Sequence, residues 1–295
     1  MRFRMLFAAV LLIASPAWAD PIGRGPGEQD VDLRGTRFTI FTYRPKPCPD
    51  PALLLVFHGV SRNADGYRDH ARPIADRACM IVVAPLFDEK RFPGWRYQRG
   101  GVERKGVLQN PRNWTGHYVV ALIDWVRRTE GRPLDVYMIG HSAGGQFLSR
   151  LAAFLPTDAK RIVIANPSTH VLPSLKTNAP FGMGGLYPEG EGQEKLQRYL
   201  ATPVTIFLGK EDTGDKDRND SPEARAQGET RFERGLNTFA AGQKMSKSRG
   251  WRFDWRLVQL PGVGHSARKM FSSDEALTAL FGPSGARVPP RAAHD

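Results

Sequence analysis

Ser142, Asp212 and His265 are the residue types with which a protein attacks a carbonyl: a hydroxyl, an imidazole to take its proton, and a carboxylate to orient the imidazole. Ser142 stands in Gly140-His141-Ser142-Ala143-Gly144. The apolar run 136–139 precedes it, and Phe147, Leu148, Leu151 and Phe154 follow at helical spacing. This reads as strand, sharp turn, helix, with the serine at the tip. Small residues two positions to either side let strand and helix pack closely, and the positive end of the helix lies under any negative charge formed there. The bland alternative is a glycine-rich turn whose serine only caps the helix.

The chain has seven histidines. His265 lies in Leu260-Pro261-Gly262-Val263-Gly264-His265-Ser266, after a strand-like run and before a helical one, on a loop that can carry an imidazole over Ser142. His170 is its one rival. His141 adjoins Ser142 and should point away from it, and His58 should shape the loop after its own strand. His70 and His117 fall in helical patterns, and His294 lies near the chain end. Asp212 follows the run 204–208 in Gly209-Lys210-Glu211-Asp212-Thr213, with Glu211 and Asp215 as rivals. Each of the three residues thus follows a separate expected strand, in the order Ser, Asp, His. Acyl transfer also needs donors for a tetrahedral oxyanion. The backbone N–H groups of Ala143 and of Val60, in the loop after Phe57, are the candidates, with Ser61 a weaker one.

These residues need a sheet with its carboxyl edge open. Runs 53–57 and 80–84 are continuously apolar, as strands buried on both faces should be. Runs 37–43, 161–165, 204–208 and 253–260 supply further strands. Helical patterns occupy 63–78, with Asn63 a candidate cap, and 114–128, 191–200, 230–245 and 266–281. Strands alternating with helices imply right-handed βαβ units and an α/β fold with a mostly parallel sheet. Residues 20–31 are Gly-rich and polar and read as a loosely held start, 86–113 as irregular, and 166–186 as loop.

Residues 1–19 read as an export signal: Arg2 and Arg4, an apolar run over 5–13, then Ala17-Trp18-Ala19. The remaining chain, 20–281, suits one domain, with 282–295 a disordered tail. No other segment looks membrane-spanning. Cys48 and Cys79 precede the runs 53–57 and 81–84, so on neighbouring parallel strands both thiols sit at one end of the sheet and can pair in an oxidising compartment. Two sulfurs are too few for a metal site. The formal charge of +12 comes from arginine scattered along the whole chain, with no basic run interleaved with aromatics, so nucleic acid is not expected.

Taken together, the His-Gly loop after an early strand, Gly-His-Ser-Ala-Gly, Gly-x-x-Asp and a late Gly-His resemble the α/β-hydrolase superfamily over about residues 37–281. Phe57-His58-Gly59-Val60-Ser61-Arg62-Asn63-Ala64 also resembles exported polyhydroxybutyrate depolymerases and feruloyl-esterase-like members. The resemblance implies helices on both faces of the sheet, no large cap domain, and hydrolysis of small-molecule or polymeric esters through an acyl-enzyme, with no cofactor or metal. A serine peptidase or amidase of the same fold and a non-catalytic binding protein are the alternatives. Phe92, Trp95, Tyr97 and Trp114, with Tyr187, can line a substrate pocket, or the loop aromatics can form a satellite core. Oligomeric state, and periplasm against full secretion, are not readable from the sequence.

Overall fold

A computed structural model describes residues 21–188 and 190–283. The expected signal at 1–19 and nearly all of the expected tail lie outside the described residues. Among the described residues, eight strands form one sheet in the order β1-β2-β4-β3-β7-β8-β9-β10. Strands β1 (Gly25–Leu33) and β2 (Thr36–Arg44) form an antiparallel hairpin that joins β4 antiparallel. From β4 onward the pairs are parallel.

In chain order, β3 (Ala52–Phe57) is followed by α1 (Ala64–His70), α2 (Arg72–Ala78) and β4 (Met80–Pro85). A small hairpin, β5 (Glu103–Arg104) with β6 (Val107–Leu108), stands inside the long loop before α3 (Gly116–Glu130). Then come β7 (Val136–His141), α4 (Ala143–Phe154), β8 (Arg161–Ala165), α5 (Glu191–Ala201) and β9 (Val204–Gly209). The chain continues through α6 (Pro222–Arg225), α7 (Arg231–Arg249), β10 (Trp255–Leu260), α8 (Ala267–Phe271) and α9 (Asp274–Phe281).

Alternation along the strands feeds two cores. Leu53, Leu55 and Phe57 join one face with α3, α4, α5 and α7; Leu54 and Val56 join the other with α1, α2, α8 and α9. The fold is thus a mostly parallel sheet covered by helices on both faces, with no large cap among the described residues.

The structure corrects several expectations. The polar start is not loose: β1 pairs with β2 along its whole length, and Val31 and Leu33 are buried while its acidic residues face solvent. An edge strand needs only one apolar side, which a Gly-rich composition hides. The pattern at 63–78 is two helices, because Pro73 is tolerated in a first turn but not mid-helix. Asn63 makes no side-chain cap bond. The pattern at 266–281 is also two helices, the second capped by Ser273. Cys48 and Cys79 form a disulfide, Cα atoms 5.2 Å apart, where β3 and β4 begin side by side.

Candidate active site

Ser142 is the turn between β7 and α4, with φ 57° and ψ −117°. An L-residue adopts that geometry only when its surroundings impose it. Here backbone packed on backbone does so. A Cβ on Gly140 would lie 2.5 Å from the Gly144 carbonyl oxygen, and one on Gly144 would lie 2.2 Å from that of Phe57. The Ser142 N–H donates to Ala165 O at 3.0 Å, tying the tip to the end of β8.

His265 stands in the loop after β10, and its Nδ1 lies 2.7 Å from Asp212 Oδ2. With Nδ1–H donated to the carboxylate, Nε2 is left as the basic nitrogen. The ring packs against His141, the neighbour of Ser142, with centroids 4.5 Å apart. Asp212 is 1% exposed, whereas Glu211 and Asp215 are exposed. Asp212 also pairs with Arg231 at 3.4 Å, itself 1% exposed. Burial lowers the Arg231 guanidinium and the Asp212 charge counters it. Burial also pushes His141 well below the ordinary imidazole range, reinforced by His265 and Arg231, so its ring is neutral. His170 lies elsewhere, its backbone paired with the Gln227 side chain and its ring lowered to about 3 by burial among Arg150 and Arg234.

The loop after β3 passes over the elbow, and a Cβ on Gly59 would be 3.8 Å from Ser142 Cβ. His58 braces this loop. Its Nε2 accepts from the Phe87 N–H at 3.1 Å, so Nδ1 carries the proton and donates to Gly59 O at 2.9 Å. Burial lowers the ring to about 4. Val60 follows, half-buried, and Ser61 is exposed. Ala143 opens α4, where first-turn N–H groups have no helical partner.

A cavity of about 510 Å³ opens beside the elbow, lined by Val60, Trp95 and Gln146 among others. Of the aromatics read as pocket candidates, Trp95 lines it. Tyr97 and Trp114 instead belong to the core. Tyr97 is fully buried, 5.0 Å from Phe87 and 5.4 Å from Phe147, and its hydroxyl donates to His58 O. Trp114 packs on Phe154 at 5.8 Å, and Phe92 is buried against Phe38 and Phe87. The loop folds back over the sheet end and buries them, as the satellite-core alternative held. Tyr187 lines a separate hollow of about 400 Å³ with Leu175 and Met183.

Sequence reasoning missed three positioning residues. Asn166, fully buried at φ 42°, accepts from the Gly209 N–H and donates to Gly264 O, joining the ends of β8 and β9 to the His265 loop. Its place directly after β8 was the available signal. Arg231 carried no local signal, lying 19 residues from Asp212. Arg62 donates to Phe87 O, Phe92 O and Glu89, pinning the Val60 loop to the aromatic loop.

No protein-family model and no curated protein sequence matches this chain. Solved structures do. The poly(3-hydroxybutyrate) depolymerase LpqC of Bordetella parapertussis is 33% identical with a TM-score of 0.79, over 90% of this chain and 92% of that one. Poly(aspartic acid) hydrolase-1 of Sphingomonas sp. KT-1 is 30% identical, also at 0.79, over 86% and 98%. The siderophore hydrolase EstB of Aspergillus nidulans, 15% identical at 0.53 over 90% and 98%, shares the fold alone.

Proposed function

This chain belongs to the α/β-hydrolase superfamily, and on that premise we propose that it is an exported serine hydrolase of carboxylic esters acting through Ser142, His265 and Asp212. His265 Nε2 takes the proton of Ser142 as its oxygen attacks the ester carbonyl. The N–H groups of Val60 and Ala143 stabilise the oxyanion. Imidazolium, steadied by Asp212, then protonates the leaving alkoxide, and water releases the acyl-enzyme by the same base. The observation that carries this reading is the 2.7 Å His265–Asp212 bond beside a serine held at φ 57°. The similarity to a structure named a poly(3-hydroxybutyrate) depolymerase supports ester hydrolysis, and the similarity to one named a poly(aspartic acid) hydrolase supports a polymeric substrate. The Cys48–Cys79 disulfide supports export, as does the signal-like stretch 1–19.

The test is turnover of p-nitrophenyl butyrate by the parent and by Asp212→Asn. A fall of roughly 10⁴-fold in kcat is expected, because an amide in that place no longer holds the right tautomer. Turnover by Asp212→Asn within tenfold of the parent counts against the assignment. The similarity to a hydrolase named for poly(aspartic acid) supports an amidase of the same fold as a second reading. Cleavage of peptide anilides faster than of matched esters would select it.

A further inference from the structure

Where Gln146 and Ser168 form the wall of the cavity beside the elbow, the polar atoms are set as donors, while Gln98, also in the lining, keeps a buried amide oxygen without a hydrogen-bond partner among the described residues. Arg150, 1% exposed, can only donate, and its Nη2 donates to Thr169 Oγ1 at 3.0 Å. The Thr169 hydroxyl therefore spends its proton on Gln146 Oε1, 2.8 Å away. With its carbonyl oxygen so engaged, Gln146, which lines the cavity, has its NH₂ as the amide group left to bond. Ser168 also lines the cavity. Its Oγ accepts from the Asn219 N–H at 2.6 Å, which leaves its hydroxyl proton to give. Arg99 and Arg218 add two guanidinium groups against one lining carboxylate, Asp217. Arg99 also faces Glu103 at 3.6 Å, and Arg218 pairs with Asp220. Behind them Arg150 carries a buried charge that pairs with no carboxylate among the described residues. Burial lowers it to about 9, and Arg99 adds to that lowering, so the two cations feel one another.

We infer that this cavity is an acyl-side subsite for a chain bearing a second oxygen acceptor, a carboxylate or an ester carbonyl, with Gln146 Nε2 as its specificity-determining donor. This rests on the reading that Ser142 attacks the scissile carbonyl. The acyl side follows from that chemistry. The leaving group must reach His265 for its proton, and the cavity is bounded by Val60 and Gln146, with neither His265 nor His141 in its lining. A plain alkyl acyl chain would leave the donors of Gln146 and Ser168 without partners, which a polar site penalises.

Monoethyl adipate and ethyl hexanoate test this, since they differ only by a carboxylate in place of a methyl group at the chain end. Affinities are measured by NMR titration on the Ser142→Ala protein, which binds without turnover. Monoethyl adipate should bind at least tenfold tighter than ethyl hexanoate, with diethyl adipate between them. Adding Gln146→Glu, which keeps size and the Thr169 bond but replaces the donor, should bring the adipate-to-hexanoate ratio to within twofold of one. Adding Ser168→Ala should lower it about threefold. Equal affinities in the Ser142→Ala protein, or a ratio untouched by both substitutions, overturns the subsite. Selective binding by a parent protein that hydrolyses none of these esters would instead overturn the hydrolase reading and leave the subsite standing.

Discussion

Around Ser142 the chain is held by backbone packed on backbone, whereas the cavity wall one helical turn away is held by guanidinium groups donating to carbonyl oxygens. At the elbow there is no space for a methyl group on Gly140 or Gly144. At the wall, Arg150 donates to Gln146 O and Thr169 O, and Arg234 donates to Ser168 O, Asn219 O and Gly228 O. Arg231 binds Gly214 O and Lys216 O as well as Asp212. The first construction places an atom wherever the sheet goes. The second fastens loops that have no ladder of their own, and a long side chain with five donors suits it. On the proposed function the reacting atoms inherit the rigidity of β7 and α4, while the groups proposed to select a substrate depend on a few buried cations.

The largest expected effect separates the arginines from one another. Arg231→Met removes the guanidinium partner of a buried carboxylate, leaving it only His265, and should cost about 3–5 kcal/mol in urea unfolding. Arg150→Met strands only carbonyl and hydroxyl groups and should cost about 1–3 kcal/mol. A larger loss for Arg150→Met would mean that the Arg231–Asp212 pair does not anchor its loop. Gly144→Ala probes the other construction. Its methyl would meet the Phe57 carbonyl, which β3 cannot easily move, so a loss of at least about 2 kcal/mol is expected, with lowered turnover. A stable and active Gly144→Ala protein would show that the elbow tolerates what the packing forbids.

Acid should strain both regions at once, more gently. His58 and His170 are buried, with imidazoles lowered to about 4 and about 3, and His141 is lowered too. In the unfolded chain each takes its proton near pH 6.5. Between those values the unfolded state binds more protons, so stability is complete above about pH 6.5 and falls as pH drops toward 4. Each such histidine contributes up to roughly 1.4 kcal/mol per pH unit in that window. His58→Gln should flatten the fall of thermal midpoint between pH 6.5 and 4.5, and an unchanged slope would remove His58 from this account.

The same division decides what could be read beforehand. Strands β3 and β4 are apolar on both faces, so their runs were legible, and so was the meeting of Cys48 with Cys79 at their shared end. The glycines about Ser142 showed in the sequence the close approach that the structure contains. Asp212 was preferred in the sequence with Glu211 and Asp215 kept as rivals, because what distinguishes it is burial, and burial comes from Arg231 and the His265 loop. Arginine bonds to carbonyl oxygens have no periodicity and no fixed partner residue, so of the cavity wall only Trp95 and the Val60 loop could be read, and its polar groups could not. Tyr97 and Trp114 look like pocket residues in a loop drawn straight, and become core only once that loop returns to the sheet.

The most direct measurement is labelling of the purified protein by a fluorophosphonate, with the modified residue located by mass spectrometry. The parent should label on Ser142, Ser142→Ala not at all, and His265→Ala at a severely reduced rate. Equal labelling of the parent and Ser142→Ala would contradict the assignment of Ser142 as nucleophile, and the roles given to His265 and Asp212 would fall with it.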